Sequence, residues 1–121
     1  MIQALLTLAG LMGAAGIALT AAGAHGKPGA GLDSAGYLLL IHAVALVAGT
    51  ALLREPVLWR PLALAALWGF VVGSTLFSAD VAARAYLGGR LFPFAAPAGG
   101  MIMIASWLVF AVAALAGSRA G

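Results

Sequence analysis

Eleven side chains carry nearly all the acid–base chemistry of this chain: His25 and His42, the carboxylates Asp33, Glu55 and Asp80, and the cations Lys27, Arg54, Arg60, Arg84, Arg90 and Arg119. Two imidazoles and a carboxylate are the right ligand types for a three-ligand metal site with one open position. Yet the gap from His25 to His42 matches no local ligand motif, so no metal is expected. A haem between them is disfavoured too, because they lie at different depths. With no cysteine present, thiolate ligands and thiol nucleophiles are excluded. The serines sit in no G-x-S-x-G or S-x-x-K context, and no G-x-x-x-x-G-K loop exists to cradle a phosphate. The six cations are scattered singly, whereas a nucleic-acid partner calls for a clustered basic face. The chain therefore reads as a non-enzymatic protein without a cofactor, and what remains is binding chemistry. Its candidate residues are His25, His42, Ser78, Asp80 and Arg84, with Tyr37, Ser74 and Asp33 nearby.

The elements that hold these residues must live in lipid. Of 121 residues, 64% are hydrophobic and 7% charged, against about 25% charged in a typical soluble domain. The mean hydropathy is +1.14. A small soluble protein exposes too much surface for so few polar groups to cover. A bilayer core of ~30 Å needs about 20 apolar residues per helical crossing, and four such runs occur: 2–24, 36–53, 61–79 and 98–117. Backbone groups in hydrocarbon must bond within their own segment, and no strand-like alternation is present. The expected fold is all-α, an integral membrane four-helix bundle with up-down-up-down topology, in one domain spanning 1–121. No internal repeat is apparent. Ala22-Gly23-Ala24 is similar to a signal-cleavage site, but no Lys or Arg precedes the long apolar run, so the first span is expected to stay in place.

Four crossings sort the loops. Both termini and the Arg54–Arg60 connection share one side, the terminal side; His25, Lys27, Asp33, Asp80, Arg84 and Arg90 share the other, the rim. Each side holds three Lys/Arg (Arg54, Arg60 and Arg119 against Lys27, Arg84 and Arg90), so the positive-inside rule does not choose an orientation. His42 is the one ionisable group well inside a run, about two turns in from Gly36. Intramembrane titratable groups are functional suspects, while a neutral imidazole can also pin two helices by bonding a carbonyl or hydroxyl. Asp80 closes the third run, where the helix dipole disfavours a carboxylate. If the helix continues one turn, Arg84 at i+4 supplies a cation, and His25 is a second candidate.

Packing in lipid relies on small residues that let backbones approach. Gly13 and Gly16 in the first run, Gly69 and Gly73 in the third, and Gly99 and Gly100 in the fourth are the expected contact points, and leftover helix faces also permit a homo-oligomer. Trp59 falls at an interface, as aromatic belts do. Trp68 and Trp107 lie within spans, where each indole N–H wants an acceptor, expected to be a serine or a carbonyl.

Several stretches match a known pattern: Gly13-Ala14-Ala15-Gly16-Ile17-Ala18-Leu19 running into Ala22-Gly23-Ala24-His25-Gly26, Tyr37 followed by His42-Ala43-Val44-Ala45-Leu46, Gly73-Ser74-Thr75-Leu76-Phe77-Ser78, and Pro97-Ala98-Gly99-Gly100 with Trp107. Together they resemble the small four-span family called domain of unknown function 423, to which eukaryotic transmembrane protein 256 belongs. The resemblance implies a multi-pass protein of the cell (inner) membrane, mostly bacterial, with no established activity, and a signature that dwells on both histidines and the Pro97 turn. The Asp80–Pro97 connection is longer than the family form and is not carried over. The expected function is binding of a lipid headgroup, small ligand or partner at the His/Asp/Arg face, with membrane lipids as the constant partners. The alternative is a small transporter or channel, formed as an antiparallel dual-topology dimer.

Overall fold

The structure, a computed structural model, describes residues 1–120, of which 118–120 by backbone alone; the side chain of Arg119 lies outside the described residues. Four helices follow in order: α1 (Ile2–Ala21), α2 (Leu32–Leu52), α3 (Arg60–Leu87) and α4 (Ala95–Ala120). A five-residue π turn, Ala22–Gly26, extends α1, with the Lys27 N–H reaching back to the Ala22 carbonyl at 2.8 Å. Each helix is long and apolar enough to cross a membrane, so the chain folds as a four-span helical bundle.

The helices outrun the apolar stretches at the rim, for local reasons. Gly31 enters the left-handed region at φ 83° and turns the chain into α2 at Leu32, one turn before the apolar stretch expected from Gly36. Asp33 then stands in the first turn of α2, where the partial positive charge of a helix N-terminus favours a carboxylate. Helix α3 runs past Asp80 to Leu87, through Ala82, Ala83 and Ala85, and stops where Gly88 adopts φ 78°. Asp80 is thus not at a helix end, and the dipole argument against it falls away. Helix α4 starts at Ala95, ahead of the expected 98, and Pro97 fits its first turn because an N–H there has no intrahelical partner.

Helix α1 packs along α2 and α3 along α4, while α2 and α3 join the two hairpins. Among the described residues, α1 and α4 do not approach each other. The main core lies toward the terminal side, with Leu5, Ala9 and Met12 of α1 against Leu39, Ala43 and Leu46 of α2 and Leu67 and Phe70 of α3. A smaller cluster of Leu32, Ala35 and Val81 wedges the start of α2 beneath the rim.

The close approaches sit at glycines. A Cβ on Gly16 would stand 2.9 Å from the Gly36 carbonyl oxygen, and one on Gly99 would stand 2.7 Å from that of Gly73. Gly69 packs against the side chain of Ser106, and Gly13 meets Ala43 at an ordinary 3.9 Å. Gly100 differs from expectation: nothing lies within 4 Å of the place where its Cβ would be. One residue past Gly99, it points ~100° around the helix, away from α3.

Candidate functional site

At the rim, Asp80 is fully buried. Its Oδ1 accepts the Leu91 N–H at 2.9 Å, and its Oδ2 lies 3.6 Å from Arg84 Nε without a hydrogen bond of its own. The carboxylate therefore ties α3 to the loop that leads into α4. Arg84, one turn on, holds the charge and remains 42% exposed. The Ser78 hydroxyl is spent as well, donating to the Ala35 carbonyl of α2 at 3.2 Å.

His42 lies elsewhere. Because α2 begins at Leu32 and ends at Leu52, His42 stands ten residues from either end, ~15 Å along the axis at 1.5 Å per residue. That is mid-membrane, deeper than the two turns read from the apolar run. Nδ1 is 2.7 Å from the Leu38 carbonyl oxygen, and the Trp107 indole N–H donates to Nε2 at 3.0 Å. An indole nitrogen can only donate, so Nε2 carries no proton and Nδ1 is the protonated nitrogen of a neutral ring. Phe70 packs edge-on against the imidazole at 5.4 Å between ring centres, and its ring is tilted against that of Trp107 at 4.4 Å. The imidazole thus links α2 to α4 across a ring of α3, although the backbones of α2 and α4 keep apart.

Two expectations are corrected by these bonds. The acceptor for Trp107 is His42, and that for Trp68 is the Met1 sulfur at 3.2 Å, not a serine or carbonyl. The neighbouring Ser74 and Ser106 donate to carbonyls of their own helices, Phe70 at 2.6 Å and Ile102 at 2.7 Å. The two histidines lie apart, as their different depths in the sequence lead one to expect. His25 lies in the last part of the π turn, exposed beside Tyr37 along a shallow groove of about 310 Å³ between α1 and α2. No bond joins His25 to Asp80 among the described residues, and no group of three His, Asp or Glu there is placed to hold a metal ion.

Sequence reasoning missed a second feature. Above the small rim cluster, α1 and α3 stand apart over α2 and leave a groove of about 440 Å³. Ala15, Ala18, Leu19 and Ala22 form one wall, Thr75, Ser78, Ala79, Ala82 and Tyr86 the other, and Leu39 the floor. At its outer end the Lys27 ammonium sits 5.3 Å from the centre of the Tyr86 ring. The signal in the sequence was weak: a cation and an amphipathic aromatic just beyond the first and third apolar runs, where interface residues gather. Among the described residues Lys27 has no carboxylate within ion-pair distance: Asp80 is paired with Arg84, and Asp33 accepts only the N–H of its neighbour Ser34, at 2.9 Å. An apolar slot with an uncompensated cation at its mouth can hold an amphiphile with a negative head.

No curated protein and no solved structure matches the chain. A family model described as "Protein of unknown function (DUF423)" does, over residues 12–100. The matched stretch runs from α1 into the start of α4 and takes in His25, His42, Ser78, Asp80, Arg84 and the Gly16, Gly36, Gly73 and Gly99 crossings. With this match over most of its length, the chain belongs to the DUF423 family, and its four apolar helices make it a multi-pass membrane protein.

Proposed function

We propose that this protein is a non-catalytic component of the cell (inner) membrane that binds an anionic lipid headgroup at its rim. The observation that carries the reading is the charge arrangement there: among the described residues Lys27 lies over Tyr86 without a carboxylate partner, while Asp80 is paired with Arg84 and Asp33 accepts a local bond from the Ser34 N–H. Arg84 and Arg90 add positive charge around it. Helical spans suit the inner membrane, where outer membranes use barrels. The buried serine hydroxyls Ser74, Ser78 and Ser106 each donate to a backbone carbonyl, which favours a packing role over catalysis. The transporter reading rests on the balanced loop charges. It has less support at mid-membrane, where His42 is bonded at both nitrogens.

The test is lipid retention. Protein purified in mild detergent with equal phosphatidylglycerol and phosphatidylcholine is expected to keep the former in excess by native mass spectrometry. Lys27→Gln should lower that excess about fivefold, the effect of ~1 kcal/mol per basic residue at an anionic surface. Arg54→Gln, on the terminal side, should leave it unchanged. Equal retention of the two lipids by wild type overturns the reading.

A further inference from the structure

We propose that the groove between α1 and α3 is an acyl-chain site for one phospholipid with an anionic headgroup, whose phosphate takes the Lys27 ammonium from the face of Tyr86. The proposal rests on the headgroup reading above and adds where the tail goes. At about 440 Å³ the groove falls within the ~300–1,000 Å³ of small-molecule sites. Its walls are methyl groups, Ala15, Ala18 and Ala22 facing Ala79 and Ala82, with Tyr86 at the mouth. A row of alanines leaves a slot where larger side chains would have closed it.

The shape selects a chain over a helix. Helices α1 and α3 both contribute to the main core toward the terminal side, so the gap is confined to the rim half. A second copy would have to insert an element ~10 Å across into a cleft floored by α2. A flexible tail enters sideways from the bilayer without displacing anything. The mouth selects the head. A lone ammonium over an aromatic ring is held by only ~0.5–1 kcal/mol at an exposed site, and a phosphate oxygen offers the stronger, charge-assisted bond.

The experiment uses the full chain in phosphatidylcholine vesicles doped with phosphatidylglycerol carrying a photoreactive group midway along one tail. Adducts are mapped by peptide mass spectrometry. Adducts concentrated in residues 15–22 and 75–86 are expected. Ala79→Phe, which fills the slot, should abolish them, while Ala111→Phe on the exposed side of α4 should not. Ala18→Leu and Ala82→Leu narrow the groove from opposite walls in smaller steps, and both should reduce the adducts should Ala79→Phe fail to fold. Adducts spread evenly over the four helices, or unchanged by all three groove variants, overturn the proposal. Equal labelling from a phosphatidylcholine probe overturns the anionic assignment, and adduct-blocking dimers crosslinked through the groove would replace the lipid with a second copy. Phosphatidylglycerol retained through Lys27 without groove adducts sinks the tail site alone; loss of all headgroup preference sinks the reading beneath it.

Discussion

His42 gives the Trp107 indole its hydrogen-bond acceptor in the middle of the bilayer, so a side chain without an acceptor there leaves an N–H stranded in hydrocarbon. Interhelical bonds of this kind are worth ~0.6 kcal/mol on average in membranes, with a maximum near ~1.7. Phe70 packs against both rings and holds them in place, so the middle of that range applies. A double-mutant cycle of His42→Phe and Trp107→Phe, measured as unfolding free energy in one detergent, should give a coupling of about 1 kcal/mol. Additive single mutants would show that the bond contributes nothing. Asp80 and Arg84 obey a different asymmetry. Asp80→Asn keeps the acceptor for the Leu91 N–H and removes a buried charge whose partner is 3.6 Å away, so it should cost less than ~1 kcal/mol. Arg84→Ala leaves the buried carboxylate without its cation and should cost more. The reverse order in thermal melting would mean that the carboxylate is the member the fold needs. The sequence named both residues and the i+4 pairing. It could not name the Leu91 N–H, because that bond depends on where a loop eleven residues away returns.

Glycine placement decides which helix faces meet. In a soluble helix the apolar stripe marks the buried face, but these helices are apolar all round, so in the sequence only the small residues mark where two helices can meet closely. Gly16, Gly73 and Gly99 were legible on that basis. Gly36 was not, since it sat at the presumed boundary of a span, yet it opposes Gly16 with a would-be Cβ 2.6 Å from that residue's carbonyl oxygen. Alanine at Gly36 or Gly99 forces two backbones apart and should cost about 1–3 kcal/mol, the usual penalty for overpacking. Gly10→Ala is the control: nothing lies within 4 Å of the added carbon, and the helix-propensity gain of up to ~1 kcal/mol should leave the protein equal or more stable. The comparison needs only melting temperatures in one detergent. Equal losses at all three positions would mean that the crossings are looser than their geometry. The ends of α2 and α3 were the least legible elements, because Asp33 and Asp80 read as loop charges when hydropathy alone sets the limit. Asp33 at a helix start and Asp80 paired one turn ahead are each compatible with helix, and the glycines at positive φ, Gly31 and Gly88, mark the true boundaries.

At the scale of the whole chain, lipid-headgroup binding requires Lys27, Arg84, Tyr86 and Arg90 to emerge together, which follows only if the backbone crosses the bilayer between each pair of loops. That the chain has four apolar runs was plain from composition, since nine charged residues in 121 leave few places for a loop. That α1 and α3 part to form a groove was not, because helix splay is set by the sum of side-chain sizes along three facing helices. The lack of native cysteine makes the crossings directly measurable. Single cysteines at Ala30, Glu55 and Gly89 fall in the three loops, at exposed positions outside every helix, and a membrane-impermeant maleimide added to sealed vesicles labels only those facing out. Positions 30 and 89 should label to the same fraction and position 55 to the complementary one, whatever the split. Since each side carries three Lys/Arg, the size of that split decides a second matter: near-equal fractions correspond to insertion both ways, as an antiparallel dimer needs, and a lopsided result to one orientation. Unlike fractions at 30 and 89 would separate Lys27 from Tyr86 across the membrane, and neither the headgroup site nor the groove could then exist.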